Sequence, residues 1–134
     1  MVVMNTNQLG TLSELAVAAE AAKRGYRVSI PVGDGAYDMI LDKDGKLFRI
    51  QVKGREPRKG KITVTFRDPS STNKAMVYNS TNVDALIVHD RVSNRMFWLP
   101  ATLADVSNSV ALRLEAPANN QSKGVHLASE YEVW

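Results

Sequence analysis

The sequence predicts a single α/β domain spanning residues 1–134, with a helix first and a meander of strands after it forming a mixed sheet flanked by helices. Three observations predict this. Helical spacing of apolar residues dominates only residues 11–25. Period-two alternation recurs through most of the remainder. No repeat, linker or low-complexity tract divides the chain.

In residues 11–25 (TLSELAVAAEAAKRG), Leu12, Leu15, Ala16, Ala19 and Ala22 recur at helical spacing, and Ala is the strongest helix former. Asn7 or Thr11 is the expected cap, and Gly25 the stop after a basic last turn. Strands are expected at 26–31, 36–42 and 46–54, the last two joined by a tight turn at Lys43-Asp44-Gly45. On the third strand Phe48, Ile50 and Val52 share one face, while Leu47, Arg49, Gln51 and Lys53 share the other. A basic loop at 55–61 leads to a strand at 62–67. Residues 70–80 admit a short helix through Asn73–Tyr78. Strands follow at 84–90 and 95–100 around a Val92–Asn94 turn, then a helical turn at Ala101–Val106 and a last strand at 110–115. Met96-Phe97-Trp98-Leu99 reads as a central strand, with an oligomer interface as its alternative. The polar tail from Ala116 is expected to run over the surface until Tyr131 and Trp134 anchor it.

Composition excludes several functions. The chain has no cysteine, so a disulfide scaffold, a zinc finger and a thiol nucleophile are all ruled out. Its two histidines, His89 and His126, are far apart. No apolar run approaches the ~18 residues of a membrane span, and Met1–Gly10 lacks the form of a secretion signal. The expectation is a soluble, cytoplasmic protein with no membrane partner. Net charge is only +3, but residues 46–67 hold eight basic residues and one acid, Glu56. That local +7 leaves −4 for the other residues, so the charge suited to an acidic partner is concentrated in one segment.

Four polar residues interrupt otherwise apolar patterning. Asp38 sits inside a strand, where Asp is disfavoured. Gln51 and Lys53 end the neighbouring strand on one face. Glu14 lies on the helix, beside a stripe of small residues (Thr11, Ala18, Ala21, Gly25) that permits close approach of a sheet. Two carboxylates with carbonyl oxygens suit a hard cation such as Mg²⁺, and a lysine beside it can offset charge on a phosphate. Each residue also has a structural role open to it. Glu14 completes a Thr11-x-x-Glu14 capping pattern, Asp38 can bond a loop, Lys53 can be a solvated strand-end lysine, and the basic run can be a solvated loop.

The ordered set, together with longer stretches, resembles the PD-(D/E)xK nuclease superfamily. The stretches are GTLSELAVAAEAAKRGYRVSIPVGDGAYDMILDKDGKLFRIQVK (10–53), VDALIVHDRVSNRMFWLP (83–100) and LRLEAPANNQSKGVHLASEYEV (112–133). Within the superfamily they are similar to the branch containing a cyanobacterial group I intron-encoded homing endonuclease. The resemblance implies a restriction-endonuclease-like core. It implies Asp38 as central metal ligand, Glu14 as the first-helix acid, a Val52 backbone carbonyl on the metal, and Lys53 as catalytic lysine. Gln51 stands where the superfamily more often has Glu or Asp, leaving the site one negative charge poorer, and Tyr37 stands in place of the superfamily's Pro.

The resulting expectation is a Mg²⁺-dependent DNA endonuclease, with Mn²⁺ able to substitute, acting on double-stranded or branched DNA. Arg55, Arg58, Lys59 and Lys61 are expected to contact phosphates. The 54–61 hairpin, or alternatively Asn119–Gln121, is the candidate base reader. Cutting both strands needs two sites, hence a homo-oligomer, dimer or tetramer. A Holliday-junction resolvase, a binding module that has lost cleavage, and a non-DNA α/β protein with a basic loop are the rival readings.

Overall fold

Residues 2–68, 76–115 and 125–134 are described by a computed structural model. Helix α1 (Thr6–Lys23) is followed by β1 (Arg27–Ser29), β2 (Met39–Lys43), β3 (Lys46–Arg55), β4 (Lys61–Thr65), β5 (Arg67–Asp68) and β6 (Met76–Val77). Then come β7 (Ala85–Asp90), β8 (Met96–Pro100), β9 (Ser109–Arg113) and β10 (His126–Leu127). Single 3-10 turns cover Ala101–Asp105 and Ala128–Tyr131.

The helix starts earlier than the apolar spacing suggests. Asn5 is the cap: its side chain accepts from the Gln8 N–H, and the Gln8 side chain accepts from the Asn5 N–H, each at 2.9 Å. This reciprocal box satisfies two of the orphan donors of the first turn. Thr11 and Glu14 are therefore interior, and the capping role open to Glu14 is taken by Gln8. Gly25, at φ 92°, ends the helix as expected. The buried face also differs. Ser13, Val17 and Ala21 are buried, while Leu15 is 65% exposed and Leu12 is exposed as well. Small side chains face the sheet because they let the helix backbone come close.

Five strands form a mixed sheet in the order β1-β2-β3-β7-β8, antiparallel except for the central β3–β7 pair. The β2–β3 turn uses Asp44 and Gly45, both at positive φ, as a two-residue hairpin requires. The β3–β7 register is pinned at its start. Arg49 N–H donates to Asp84 Oδ2 (2.7 Å), the Arg49 guanidinium grips both Asp84 oxygens (3.1 Å each), and Asp84 N–H returns to Arg49 O (2.9 Å). Phe48, Ile50 and Val52 face α1 with Val17, Ala21, Met39, Leu41, Ala85, Ile87 and Met96. The opposite face packs a second core of Leu86, Val88, Phe97 and Leu99 against Ile62, Val64 and Leu112. Those last three come from a three-stranded sheet, β10-β9-β4, so among the described residues a sheet rather than a helix covers that face. No described helix is long and apolar enough to cross a membrane.

The Met96–Leu99 segment lies at the sheet edge, not its centre, yet Met96, Phe97 and Leu99 are buried. The chain's own C-terminus lies along it: Trp134 Nε1 donates to Met96 O (3.4 Å), and Arg95 pairs with Glu132 at 2.8 Å. Trp134 also packs on Tyr26 and Trp98 beneath the Arg24 guanidinium, so it anchors the tail as expected. Where a helix through Asn73–Tyr78 was expected, Met76–Val77 is strand and residues 69–75 lie outside the described residues.

Gly54, near the end of β3, sits directly beneath the side chains of Ser13 and Arg91. A Cβ placed there would overlap Ser13 Oγ and lie 2.6 Å from Arg91 Nη2. Gly54→Ala is expected to destabilise the fold by about 1–3 kcal/mol, the usual cost of overpacking a filled site. Urea unfolding at constant pH measures it, and an unchanged midpoint would refute the close-approach argument.

Candidate active site

The site arises where β2 and β3 part. Their ladder ends at the Met39–Ile50 pair, one step past which Asp38 N–H donates to Ile50 O (2.8 Å). Before Asp38 the chain turns away, and Ala36 and Tyr37 pack into the core on the far face of the sheet. The Val52 N–H is thereby left without a strand partner. Asp38 Oδ2 accepts it at 2.8 Å. Residues two apart on a strand direct their N–H and C=O to the same side, so the Val52 carbonyl faces this fork too. Gln51 Nε2 is its neighbour at 3.5 Å.

Glu14 reaches the fork from α1 and shares a hydrogen bond with Asp38. Burial, the Asp38 charge and that bond push the Glu14 carboxyl up to about 6. Burial also raises Asp38, opposed by the Val52 N–H, the Glu14 hydrogen bond and the Lys53 charge. Two neighbouring carboxyls in a half-buried setting form an oxygen donor set short of positive charge. A hard divalent cation fits it. No group of three or more His, Cys, Asp or Glu side chains suited to a metal converges among the described residues. A cation held at the fork would thus complete its shell from Gln51, the Val52 carbonyl and water, in the manner of Mg²⁺.

Lys53 follows on the strand face shared with Gln51. It is only 9% exposed, with Nζ 4.5 Å from the centroid of the Tyr78 ring. The solvated strand-end lysine is therefore excluded. Burying an ammonium is costly unless its surroundings compensate it, and Tyr78 contributes one such contact. Tyr78 is itself buried, its backbone N–H bound to Phe66 O at 2.8 Å.

The basic segment divides into parts with different tasks. Arg49 belongs to the Asp84 clamp and Lys53 to the fork. Arg55 still lies on β3, half-buried, donating to Gly54 O at 2.7 Å. The expected loop tightens to a turn closed by reciprocal Arg58–Lys61 backbone bonds of 2.8 and 3.0 Å, with Lys59 and Gly60 at positive φ. Arg58, Lys59 and Lys61 are exposed. With Arg55, Glu56 and Thr63 they line a groove of about 340 Å³. The other candidate base reader, Asn119–Gln121, lies outside the described residues.

Two groups beside the fork were not anticipated. One is Tyr78, from the stretch whose pattern was ambiguous. The other is a buried chain of hydrogen bonds: Arg91 Nε donates to Ser13 Oγ (3.1 Å), Ser13 Oγ meets His89 Nδ1 (2.9 Å), and His89 Nε2 meets Asn94 Oδ1 (2.8 Å). With Asn94 accepting, Nε2 carries the ring proton and Ser13 donates to Nδ1. Only the parallel β3–β7 register, which places Arg55 opposite Asp90, brings Arg91 here.

A model of the PD-(D/E)XK endonuclease family matches residues 4–134. Among solved structures, the fold is similar to that of the bacterial homing endonuclease I-Ssp6803I, with a TM-score of 0.74 and 21% sequence identity over 90% of this chain and 86% of that chain. No curated protein matches the sequence.

The raised Glu14 pKa has a measurable consequence. Glu14 titrates near 6 in the folded protein and at an ordinary 4.5 in the unfolded chain. Between those values the folded state binds more protons, so its contribution to stability is full below 4.5 and is lost as pH rises through 6. Metal-free protein is expected to lose urea resistance across that window, and Glu14→Gln to flatten the decline. An identical pH profile for Glu14→Gln would refute the coupled pair.

Proposed function

The chain belongs to the PD-(D/E)XK endonuclease family, and from that premise we propose that it hydrolyses DNA phosphodiester bonds at the β2–β3 fork with a divalent cation, Mg²⁺ or Mn²⁺. The observation that carries the reading is the pair of neighbouring carboxyls, Glu14 and Asp38, with Asp38 held on the Val52 N–H and Lys53 buried one residue further along.

Asp38, Glu14, Gln51 and the Val52 carbonyl would hold the cation. When bound, it supplies Lewis-acid stabilisation of phosphate charge and a more acidic water. Asp38 has a second task, fixing the end of β3 through Val52, so ligand and strand are placed by one side chain. Lys53 offers its ammonium to the negative charge that grows on the phosphate oxygens, or orients the attacking water. Its burial supports an enzyme over a module that only binds, because a lysine used for phosphate attraction alone gains nothing from being desolvated. Gln51 brings an oxygen without a charge, which predicts weaker cation affinity than a site with a third carboxylate. Arg55, Arg58, Lys59 and Lys61 would line the path of the DNA backbone. The fold shared with a homing endonuclease favours double-strand cutting, and two cuts require two copies of this site in a homo-oligomer.

The test uses supercoiled plasmid and a labelled four-way junction, with Mg²⁺ or EDTA. Wild type is expected to cleave in Mg²⁺ and not in EDTA. Asp38→Asn and Lys53→Met should each lower the rate by about 10²–10³-fold, the scale of removing one preorganised electrostatic group. Preference for the junction would redirect the reading to a resolvase. Absence of metal-dependent cleavage of either substrate, with salt-sensitive binding intact, would overturn it in favour of a binding module. Replacing Arg58, Lys59 or Lys61 by Gln should reduce the slope of log K against log salt by about 1 each, as measured by binding in EDTA.

A further inference from the structure

Arg91 is not among the residues the fold family's motif would select, yet three elements converge on its guanidinium. Nε is held by Ser13 Oγ at 3.1 Å, on the helix residue next to Glu14. Nη1 meets Glu56 Oε1 at 3.0 Å. Nη2 lies over Gly54, close enough that no side chain fits there. The Arg91 backbone N–H is tied to Arg55 O at 3.0 Å, so the two arginines leave the end of the β3–β7 ladder together. Burial, and after it the Arg91 charge, lowers the Arg55 pKa. The Glu56 carboxylate pairs with Arg91 and lies near Arg55. The partners differ in freedom: the Arg91 side chain is 16% exposed, that of Glu56 55%.

A fixed, mostly buried guanidinium facing an exposed and displaceable carboxylate, with a second arginine tied to its backbone at the same end of the ladder, has the chemistry of an anion site filled by an internal anion. Its place along the chain is informative. Lys53 and Arg55 are two residues apart on one strand, their Cα atoms about 6.6–6.8 Å apart, a backbone step of the order of the spacing between neighbouring phosphates in one nucleic-acid strand. Arg55 and Glu56 also form part of the lining of the groove shared by Arg58, Lys59 and Lys61.

We propose that Arg91 and Arg55 form a second phosphate subsite, for the DNA phosphate next to the one at Lys53, and that Glu56 occupies this subsite until DNA displaces it. The proposal deepens the nuclease reading and rests on it for the direction of the backbone. Arg91 acts here as a positioning residue: it fixes the backbone on the groove side of the fork and, through Ser13, is tied to the helix that carries Glu14.

The experiment measures duplex-DNA binding in EDTA across a salt series for wild type, Glu56→Gln, Arg91→Gln and the double variant. Single-turnover cleavage in Mg²⁺ is followed in parallel. Arg91→Gln is expected to weaken binding and reduce the salt slope by about 0.9, one phosphate contact. Glu56→Gln is expected to tighten binding several-fold in the wild-type background and to have little effect in the Arg91→Gln background. Equal tightening in both backgrounds would mean Glu56 acts only through net charge, and would overturn the proposal. So would an Arg91→Gln variant with wild-type affinity and slope. Should Arg91→Gln fold poorly, Arg91→Lys provides the second background, retaining charge but not the fork-shaped grip, and the same non-additivity decides. Binding effects as described in a wild type that does not cleave would retain the subsite and reject the nuclease reading; cleavage with additive binding effects would do the reverse.

Discussion

One backbone donor organises this molecule. Val52 N–H lies two residues beyond the last β2–β3 pair, where a sheet would supply a carbonyl and the chain instead supplies the Asp38 carboxylate at 2.8 Å. A buried N–H left unpaired costs about as much as a lost hydrogen bond, so the strands can part only if something replaces the ladder. Asp38 does so and gains a fixed position in return. Because Asp38 is held there, Glu14 has a partner to meet, the Val52 carbonyl faces a gap instead of a strand, and Tyr37 is released to the opposite core.

Bringing Glu14 to that point sets a second demand, close approach of α1 to the sheet. Ser13, Val17 and Ala21 meet it by being small. Gly54 meets it by having no side chain under Ser13 and Arg91. Burying Leu12 and Leu15 would have removed more apolar surface from water, but larger side chains between helix and sheet would hold Glu14 away from Asp38. Ser13 is a polar residue on a buried face, and it is accommodated because Arg91 and His89 satisfy its hydroxyl. Among the described residues no buried side-chain nitrogen or oxygen lacks a partner.

The concentration of positive charge in residues 46–67 does not act as one patch. Arg49 sets the parallel register through Asp84, a structural use of charge. Lys53 is withdrawn into the fold beneath the path of the strand. Arg55 shares its end of the ladder with Arg91, while Arg58, Lys59 and Lys61 stand in solvent, as do Lys46 and Arg67. Desolvation separates these roles: the same residue type is a clamp, a site group or a surface contact according to how much water it keeps.

Much of this was readable from the chain alone. The hairpin at Lys43-Asp44-Gly45, the two faces of residues 46–54 and the stop at Gly25 follow from local rules, because turn chemistry and period-two alternation act over a few residues. Glu14, Asp38, Gln51 and Lys53 stood out for a related reason, being polar groups that local patterning could not explain. What the sequence by itself determined was therefore the helix-first order of α1 and the strands of the five-stranded sheet, the residues of the fork and the resemblance they carry. Only the tertiary structure decided which face of α1 is buried, that Lys53 lies against Tyr78, that Met96–Leu99 is an edge covered by the C-terminus, and that Arg91 stands over Gly54. Each of these depends on partners distant in the chain. A parallel pairing such as β3 with β7 has no turn to announce it, so its register, and every neighbour it creates, is settled by packing.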